Sequence, residues 1–193
     1  MKLGLTGGIG CGKSTLVGIF EQLGWETIQS DAVVRRLLKS DREVISVISK
    51  RWGEQILLTS GGVDRSAVAK IVFSDPDELK WLEALLHPTV RETWQSQLAS
   101  EPDANWLVEI PLLFEKNLES GFDFTVCIHG PEDVVSSRME SRGYSREELD
   151  RRRRSQLPIE EKIRRADYVI TNAGSLEFLK EQTTRLIEQL ING

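Results

Sequence analysis

Near its start the chain reads Thr6-Gly7-Gly8-Ile9-Gly10-Cys11-Gly12-Lys13-Ser14-Thr15, directly after an apolar run at residues 3–5. Gly7, Gly12 and the pair Lys13-Ser14 match the phosphate-loop pattern G-x-x-x-x-G-K-[ST]. Glycines let backbone N–H groups close around a phosphate, and the following helix directs its positive end at the same anion. The stretch therefore predicts a strand, a phosphate-binding loop and a helix in succession, which is the start of an α/β nucleotide-binding fold.

We expect this loop to hold ATP through the residues from its second glycine to the first turn of the helix: Gly8, Ile9, Gly10, Cys11, Gly12, Lys13, Ser14 and Thr15. Lys13 is expected to reach the β- and γ-phosphates, which makes it a catalytic residue as well, and the Ser14 hydroxyl is expected to ligate Mg²⁺. No G-x-G-x-x-G register fits the glycines of the loop, which argues against a dinucleotide. A mononucleotide is the expected ligand, and a glycine-rich turn without a ligand is the alternative.

The size and charge of the chain narrow the function classes. With 193 residues it is long enough for one α/β domain with insertions. Its net charge of −5 argues against a general nucleic-acid binder, and no apolar run approaches the length of a membrane span. We therefore expect no nucleic-acid partner, no membrane association and a cytoplasmic location, and we favour a monomer over an oligomer.

Cys11 and Cys127 are the cysteines of the chain. One falls in the phosphate loop and the other in an apolar strand, so reduced thiols are expected rather than a disulfide or a metal framework. The position of Cys11 at the start of a helix suggests a lowered pKa of its thiol.

Five short apolar segments, at residues 3–5, 26–28, 106–110, 124–128 and 168–171, alternate with helical patterns. This alternation predicts a five-stranded, parallel, doubly wound sheet. Between the second and third strands lies a mostly helical insertion, which we interpret as an acceptor-binding subdomain. Within it, residues 75–78 predict a helix start with a capping box, and Pro88 is expected to break or kink that helix before another begins.

Ligands of parallel sheets bind at the carboxyl ends of the strands, where Asp31, Glu109 and Asn172 fall. Asp31 is the candidate for orienting or deprotonating the acceptor hydroxyl, and the alternative is a plain N-cap of the next helix. Glu109 could hold a water bound to Mg²⁺, although Asp is the usual residue at this position and a purely structural role is an equal alternative. Asn172 is expected near the nucleotide.

Arginine is concentrated between residues 138 and 165: Arg138, Arg142, Arg146, Arg151, Arg152, Arg153, Arg154, Arg164 and Arg165. Guanidinium groups on a mobile helical lid could stabilise the charge that develops during phosphoryl transfer. Helical spacing places Arg152, Arg153 and Gln156 on one face with Leu149, so Arg152 and Gln156 are candidates to face the nucleotide. A solvated face paired with neighbouring acidic residues, and RNA binding, are the alternatives.

Other sequence patterns are missing. The D-x-x-G and N-K-x-D motifs of a regulatory GTPase do not occur. His87 and His129 are too few for a zinc site or a histidine triad to be favoured, and His87, which stands before Pro88, is more typical of a helix end than of a catalyst.

The chain resembles the dephospho-coenzyme A kinase family, a family of P-loop kinases, over essentially its whole length. The matching segments, in order, are Gly4 to Thr15, Val72-Phe73 with Asp75-Pro76, Leu86-His87-Pro88, Ile110 to Glu115, Gln156 with Pro158 and Lys162, and Ala166 to Ile170 with Asn172 and Gly174. The resemblance implies ATP-dependent, Mg²⁺-assisted phosphorylation of the ribose 3′-hydroxyl of dephospho-CoA, giving CoA and ADP in the final step of CoA biosynthesis.

The resemblance also implies three parts. They are a nucleotide-binding core at residues 1–30, 101–140 and 163–193, a helical acceptor domain at residues 31–100 and an arginine-rich lid at residues 141–162. The runner-up is a nucleoside or nucleotide kinase with the same core. A nucleotide-binding switch or an RNA-associated ATPase without a small-molecule acceptor is the alternative from another class.

Site residues follow from the same resemblance. The family commonly has Asp-Ala-Asp after the second strand, where this chain has Gln29-Ser30-Asp31, so the hydroxyl-activating role is carried to Asp31 alone. Arg138 and Arg142 match the arginines before the lid and are expected to be catalytic, with Arg142 also contacting ATP. Arg152 and Asn172 are expected to contact ATP, and His87 and Asp31 the acceptor.

Overall fold

The five strands of the chain form one sheet in a computed structural model, which describes residues 1–192 and, for residues 151 and 152, only the backbone. The strands are β1 (Lys2–Gly7), β2 (Glu26–Gln29), β3 (Trp106–Glu109), β4 (Phe124–His129) and β5 (Tyr168–Thr171). Their order across the sheet is β2-β3-β1-β4-β5. β1 pairs in parallel with β3 and with β4, and β4 pairs in parallel with β5. The predicted five-stranded α/β fold is confirmed.

The helices are α1 (Lys13–Gln22), α2 (Ser30–Ser40), α3 (Arg42–Trp52), α4 (Arg65–Ser74), α5 (Pro76–Ser100), α6 (Glu132–Glu140), α7 (Arg146–Arg154), α8 (Ile159–Arg165) and α9 (Leu176–Asn192). Short 3-10 turns lie at Glu54–Ile56 and Glu119–Gly121. Within residues 1–192, no helix is both long and apolar enough to span a membrane.

The core around the sheet places the phosphate loop. One face of the sheet carries Leu3, Leu5 and Val126, which pack with buried side chains of α1 and α9. Because successive side chains of a strand point to opposite faces, Thr6 and Cys127 lie on the other face, where α8 contacts β1 and β4. Helices therefore cover both faces, and the loop at the end of β1 leaves the middle strand of the sheet.

The chain divides into two compact units. The first comprises Met1–Ile28 and the chain from Pro102 onward, and the second is Gln29–Glu101. In the second unit, α2 packs on α3 and α5, and α4 packs on α5. A carboxylate from α5, Glu78, accepts hydrogen bonds from Arg51 at 2.7 and 2.8 Å and from Trp52 Nε1 at 2.7 Å, and it joins α3 to α5.

Two predictions about α5 are wrong. Asp75 caps the helix by accepting a hydrogen bond from the Asp77 N–H, as expected, but Glu78 does not complete a capping box, because its carboxylate is bound to the guanidinium of Arg51. Pro88 neither ends the helix nor starts another, since α5 runs without interruption from Pro76 to Ser100. The reason is tertiary packing, because α5 buries a stripe on both sides of the proline: Leu82, Leu86, Val90, Trp94 and Leu98. This burial offsets the hydrogen bond that proline cannot donate.

Candidate active site

The phosphate loop joins β1 to α1 and depends on glycine. Gly10 and Gly12 have φ values of 74° and 99°, in the left-handed region that other residues rarely adopt. A Cβ at position 12 would also lie 2.2 Å from Asn172 Nδ2. Any side chain here would strain the backbone and displace Asn172.

Lys13 is held against the loop that it follows. Its Nζ donates hydrogen bonds to the carbonyl oxygens of Gly7, at 3.1 Å, and of Gly8, at 2.9 Å. The ammonium group thus lies directly beside the loop expected to bind phosphate.

Asn172 connects two other predicted site residues, Cys11 and Arg138. Its side chain is buried, with the residue 6% exposed, and Nδ2 donates to the Cys11 carbonyl at 2.9 Å. The Arg138 guanidinium donates to the carbonyl oxygen of Asn172 at 3.5 Å and to its Oδ1 at 3.4 Å. The structure therefore brings Arg138, Asn172 and the phosphate loop together although they are far apart in sequence.

The Cys11 thiol packs in a small apolar cluster with Val135, Met139 and Leu149, which belong to α6 and α7. Burial raises the pKa of Cys11, and this effect outweighs the nearby charge of Lys13. The expected lowering of the pKa is therefore wrong, because apolar contacts rather than the helix end dominate the surroundings of the thiol.

The arginine-rich helix α7 turns its Leu149 face towards this cluster. On the same face, Arg153 makes a bidentate ion pair with Glu132 of α6, at 2.7 and 2.9 Å, and lies 3.8 Å from Asp150. The hydrogen bonds from Arg153 are the main cause that lowers the pKa of Glu132.

Arg142 is exposed, and its side chain makes no hydrogen bond or ion pair with the described part of the chain. The predicted role of Arg152 concerns a side chain that lies outside the described residues.

Oxygen donors suited to Mg²⁺ lie in the first unit at Ser14 and Glu109. Ser14 is exposed in the first turn of α1, and Thr15 beside it is exposed as well. Glu109 ends β3, beside Leu5 of β1, and is 6% exposed. One hydroxyl and one carboxylate fit Mg²⁺, which usually keeps several waters and takes few protein ligands. Within residues 1–192, no group of three or more His, Cys, Asp or Glu side chains could hold a metal ion by itself.

Asp31 and His87, the predicted acceptor contacts, lie in the second unit. Asp31 lies in the first turn of α2, and Gln29 is the N-cap of this helix, without a side-chain hydrogen bond to it. The alternative that Asp31 serves as the N-cap is therefore wrong. Its exposed carboxylate makes no hydrogen bond or ion pair within residues 1–192. His87 is half-buried inside α5 rather than at a helix end, because the helix continues through Pro88.

Sequence reasoning assigned no role to a buried pair in the first unit. Lys162 Nζ lies 2.9 Å from Glu115 Oε1, and Lys162 is 0% exposed. Both residues stood in segments that carried the family resemblance, but nothing local to either one indicates burial or the contact between them. Only the fold brings their two segments together.

Known proteins match this chain over nearly its whole length. The family model for dephospho-CoA kinase matches residues 1–177. A dephospho-CoA kinase of Aquifex aeolicus is 35% identical over 190 residues, which cover 98% of this chain and 97% of that protein.

Solved structures also match this chain over nearly its whole length. A crystal structure of a Thermus thermophilus protein has a TM-score of 0.81 and 37% identity, covering 98% of this chain and 97% of the other. The dephospho-CoA kinase from Campylobacter jejuni has a TM-score of 0.73 and 29% identity, covering 98% of both chains. With its parallel sheet, its phosphate loop and these full-length matches, the chain belongs to the dephospho-CoA kinase family.

Proposed function

We propose that the chain transfers the γ-phosphoryl group of ATP to the ribose 3′-hydroxyl of dephospho-CoA, giving CoA and ADP, with the phosphate loop as the donor site. The observation that carries this proposal is the position of Lys13 on the carbonyls of Gly7 and Gly8, at the start of α1, in a chain that matches the family from residue 1 to residue 177. The loop amides and Lys13 hold the β- and γ-phosphates, and Lys13 remains on the γ-phosphate as its charge develops.

Mg²⁺ is the proposed cofactor, held by Ser14 directly and by Glu109 through water. Bound there, it would neutralise part of the negative charge of the ATP phosphates. The exposed hydroxyl at the start of α1 and the carboxylate at the end of β3 support this assignment.

Asp31 is the proposed base for the acceptor hydroxyl, and its exposed carboxylate, without a partner in residues 1–192, supports the assignment. A carboxylate that accepts the hydroxyl proton, or orients the hydroxyl for in-line attack, is the usual device in phosphoryl transfer to an alcohol. The second unit, which carries Asp31 and His87, is the proposed acceptor domain.

Arginines of the first unit are proposed to stabilise the transferring phosphoryl group. Arg138, placed beside Asn172 and the loop, and the exposed Arg142 are the catalytic candidates, and Arg142 and Arg152 would also contact ATP. The segment at residues 141–162 would act as the lid that brings guanidinium groups to the phosphates and excludes water. The chain is further proposed to act in the cytoplasm as a monomer, without a nucleic-acid or membrane partner.

A coupled assay of ADP release tests the proposed function. We expect release to be stimulated by dephospho-CoA and not by nucleosides, nucleoside monophosphates or RNA, and to require Mg²⁺. Folded protein that binds ATP but shows no stimulation by dephospho-CoA would overturn the acceptor. Stimulation by a nucleoside instead would identify the runner-up kinase.

A further inference from the structure

An ion pair that is buried at Lys162 and 12% exposed at the Glu115 side chain holds the chain directly after the arginine-rich helix. Lys162 lies on α8, and its Nζ donates to the Pro111 carbonyl at 2.7 Å and lies 2.9 Å from Glu115 Oε1. Glu115 Oε1 also accepts the N–H of Leu157 at 2.8 Å. Leu157 comes three residues after the end of α7. One carboxylate oxygen therefore fixes the point at which α7 ends and α8 begins.

The pair is also linked through Pro111 to β1, the strand that leads into the phosphate loop. The Pro111 carbonyl accepts a second hydrogen bond, from the hydroxyl of Thr6 at 3.2 Å, and Thr6 directly precedes Gly7. Thr6 and Lys162 are both 0% exposed. Pro111 thus joins the end of β1 to α8, and Glu115 joins the same segment to Leu157.

Besides the buried Leu149, which packs on α6 and Cys11, the other contacts of α7 are weaker. Its N-terminal side is preceded by Gly143, which has a φ of 82° and open space around a would-be Cβ. Arg153 and Glu132 form an ion pair whose side chains are 32% and 71% exposed, and exposed ion pairs are easily exchanged. The helix is therefore joined to the rest of the first unit by a permissive glycine at its N-terminal end, by Leu149 in its middle and by the hydrogen bond of Leu157 to Glu115 beyond its C-terminal end.

We infer that Glu115 and Lys162 are positioning residues for phosphoryl transfer. They fix Leu157 so that the arginine-rich segment moves about a stationary C-terminal end and returns its guanidinium groups to the same place. Lys162 balances the buried charge of Glu115, and Glu115 supplies the acceptor for the Leu157 N–H. This inference rests on the proposed role of residues 141–162 as a lid, and it adds the residues that hold that lid in register with the loop.

Two double variants separate the effect of the hydrogen bond between Leu157 and Glu115 from the effect of the buried charges of Glu115 and Lys162. Glu115→Gln with Lys162→Met removes both charges but keeps an acceptor oxygen for the Leu157 N–H. Glu115→Met with Lys162→Met removes the acceptor too. Replacing both members of a buried pair avoids leaving one buried charge unpaired, which is strongly destabilising. Arg164→Gln, which breaks the exposed pair between Arg164 and Glu161 on the same helix, is the control.

The rate of trypsin cleavage measures the mobility of α7 directly, because trypsin cleaves after arginine and α7 is rich in arginine. For the Met–Met variant we expect cleavage within residues 146–154 to be about fivefold faster than in the native chain, with kcat about tenfold lower and KM for dephospho-CoA unchanged. The Gln–Met variant should be restored to near-native values in both measurements, and Arg164→Gln should match the native chain. Equal cleavage and equal kcat in the two double variants would overturn the inference.

Hydrogen exchange on the native chain provides the same test without substitution. Amides of residues 146–154 should exchange faster without nucleotide than with a non-hydrolysable ATP analogue, while the Leu157 amide stays protected in both states. Exchange of Leu157 together with α7 would show that its end is not fixed, and would contradict the inference. Because this measurement needs no acceptor, it stands apart from a failure of the chain to phosphorylate dephospho-CoA.

Discussion

The side-chain amide of Asn172 donates a hydrogen bond of 2.9 Å to the carbonyl oxygen of Cys11, 161 residues earlier in the chain. The same Nδ2 atom occupies the space that a Cβ of Gly12 would need. The phosphate loop is therefore shaped from outside, by the residue that follows β5, as well as by its own glycines. Asn172 is in this respect part of the loop rather than its neighbour.

Asn172→Ala should loosen the phosphate loop. Loss of a buried hydrogen bond of about 1–2 kcal/mol predicts a rise of roughly 5–30-fold in Kd for ATP, because the loop must be ordered again on binding. It should also make the Cys11 thiol react faster with a disulfide reagent, and ATP should protect it. Asn192→Ala, which removes a similar but exposed bond to the Glu188 carbonyl, is the control. Unchanged ATP affinity together with an unreactive thiol would show that the loop holds its shape alone.

Asp31→Asn tests the proposed base. The amide can no longer take the proton of the acceptor hydroxyl, so turnover should fall by about 10²-fold or more while ATP binding persists. Asp77→Asn, an exposed acid of the same unit that pairs with Lys80, should leave turnover unchanged. The measurement is kcat together with a Kd for ATP, and near-native kcat in Asp31→Asn would remove the base from the mechanism.

The buried Cys127 thiol predicts a loss of stability in alkali. Burial raises the pKa of Cys127 to about 12 in the folded chain, from 9.0 for a free thiol. Above pH 9 the unfolded thiol ionises while the folded one remains neutral, so the free energy of unfolding should fall between about pH 9 and 12. Cys127→Val should show a shallower fall in urea unfolding measured across this range. Identical slopes for the two proteins would mean that other groups control the alkaline side.

Pro88→Ala should stabilise the chain. Alanine restores a helical N–H in the middle of α5, and proline is about 3 kcal/mol less favourable than alanine in a helix interior, so a gain of roughly 1–3 kcal/mol in the free energy of unfolding is expected. Urea denaturation measures it, and Thr89→Ala at the adjacent position is a reference for the loss of a side chain. A destabilised Pro88→Ala would indicate that the proline ring itself is needed for packing.

Local patterns predicted the elements whose causes are local. The strands, the phosphate loop and the start of α5 at Asp75 follow from alternation, glycine spacing and capping chemistry, and each is present. The continuity of α5 through Pro88 could not be predicted in this way, because it depends on what Leu86 and Val90 pack against.

Side-chain partners were harder to predict than elements. Arg153 was expected to share a face with Leu149. Its bidentate partner is Glu132 on the preceding helix, although Asp150 is an acid much nearer in sequence. The pair of Glu115 and Lys162 joins segments 47 residues apart, and the high pKa of Cys11 arises from apolar groups of α6 and α7. Each depends on distances that only the fold sets.

The 3′-hydroxyl of dephospho-CoA is the proposed phosphoryl acceptor. The most direct measurement is ³¹P NMR of a mixture of the purified chain, ATP, Mg²⁺ and dephospho-CoA. We predict a new phosphomonoester signal, assigned to the ribose 3′-position, that grows in step with ADP and is lost in Asp31→Asn. Formation of ADP with inorganic phosphate and no phosphomonoester, or a phosphomonoester at another hydroxyl, would show that the 3′-hydroxyl is not the acceptor.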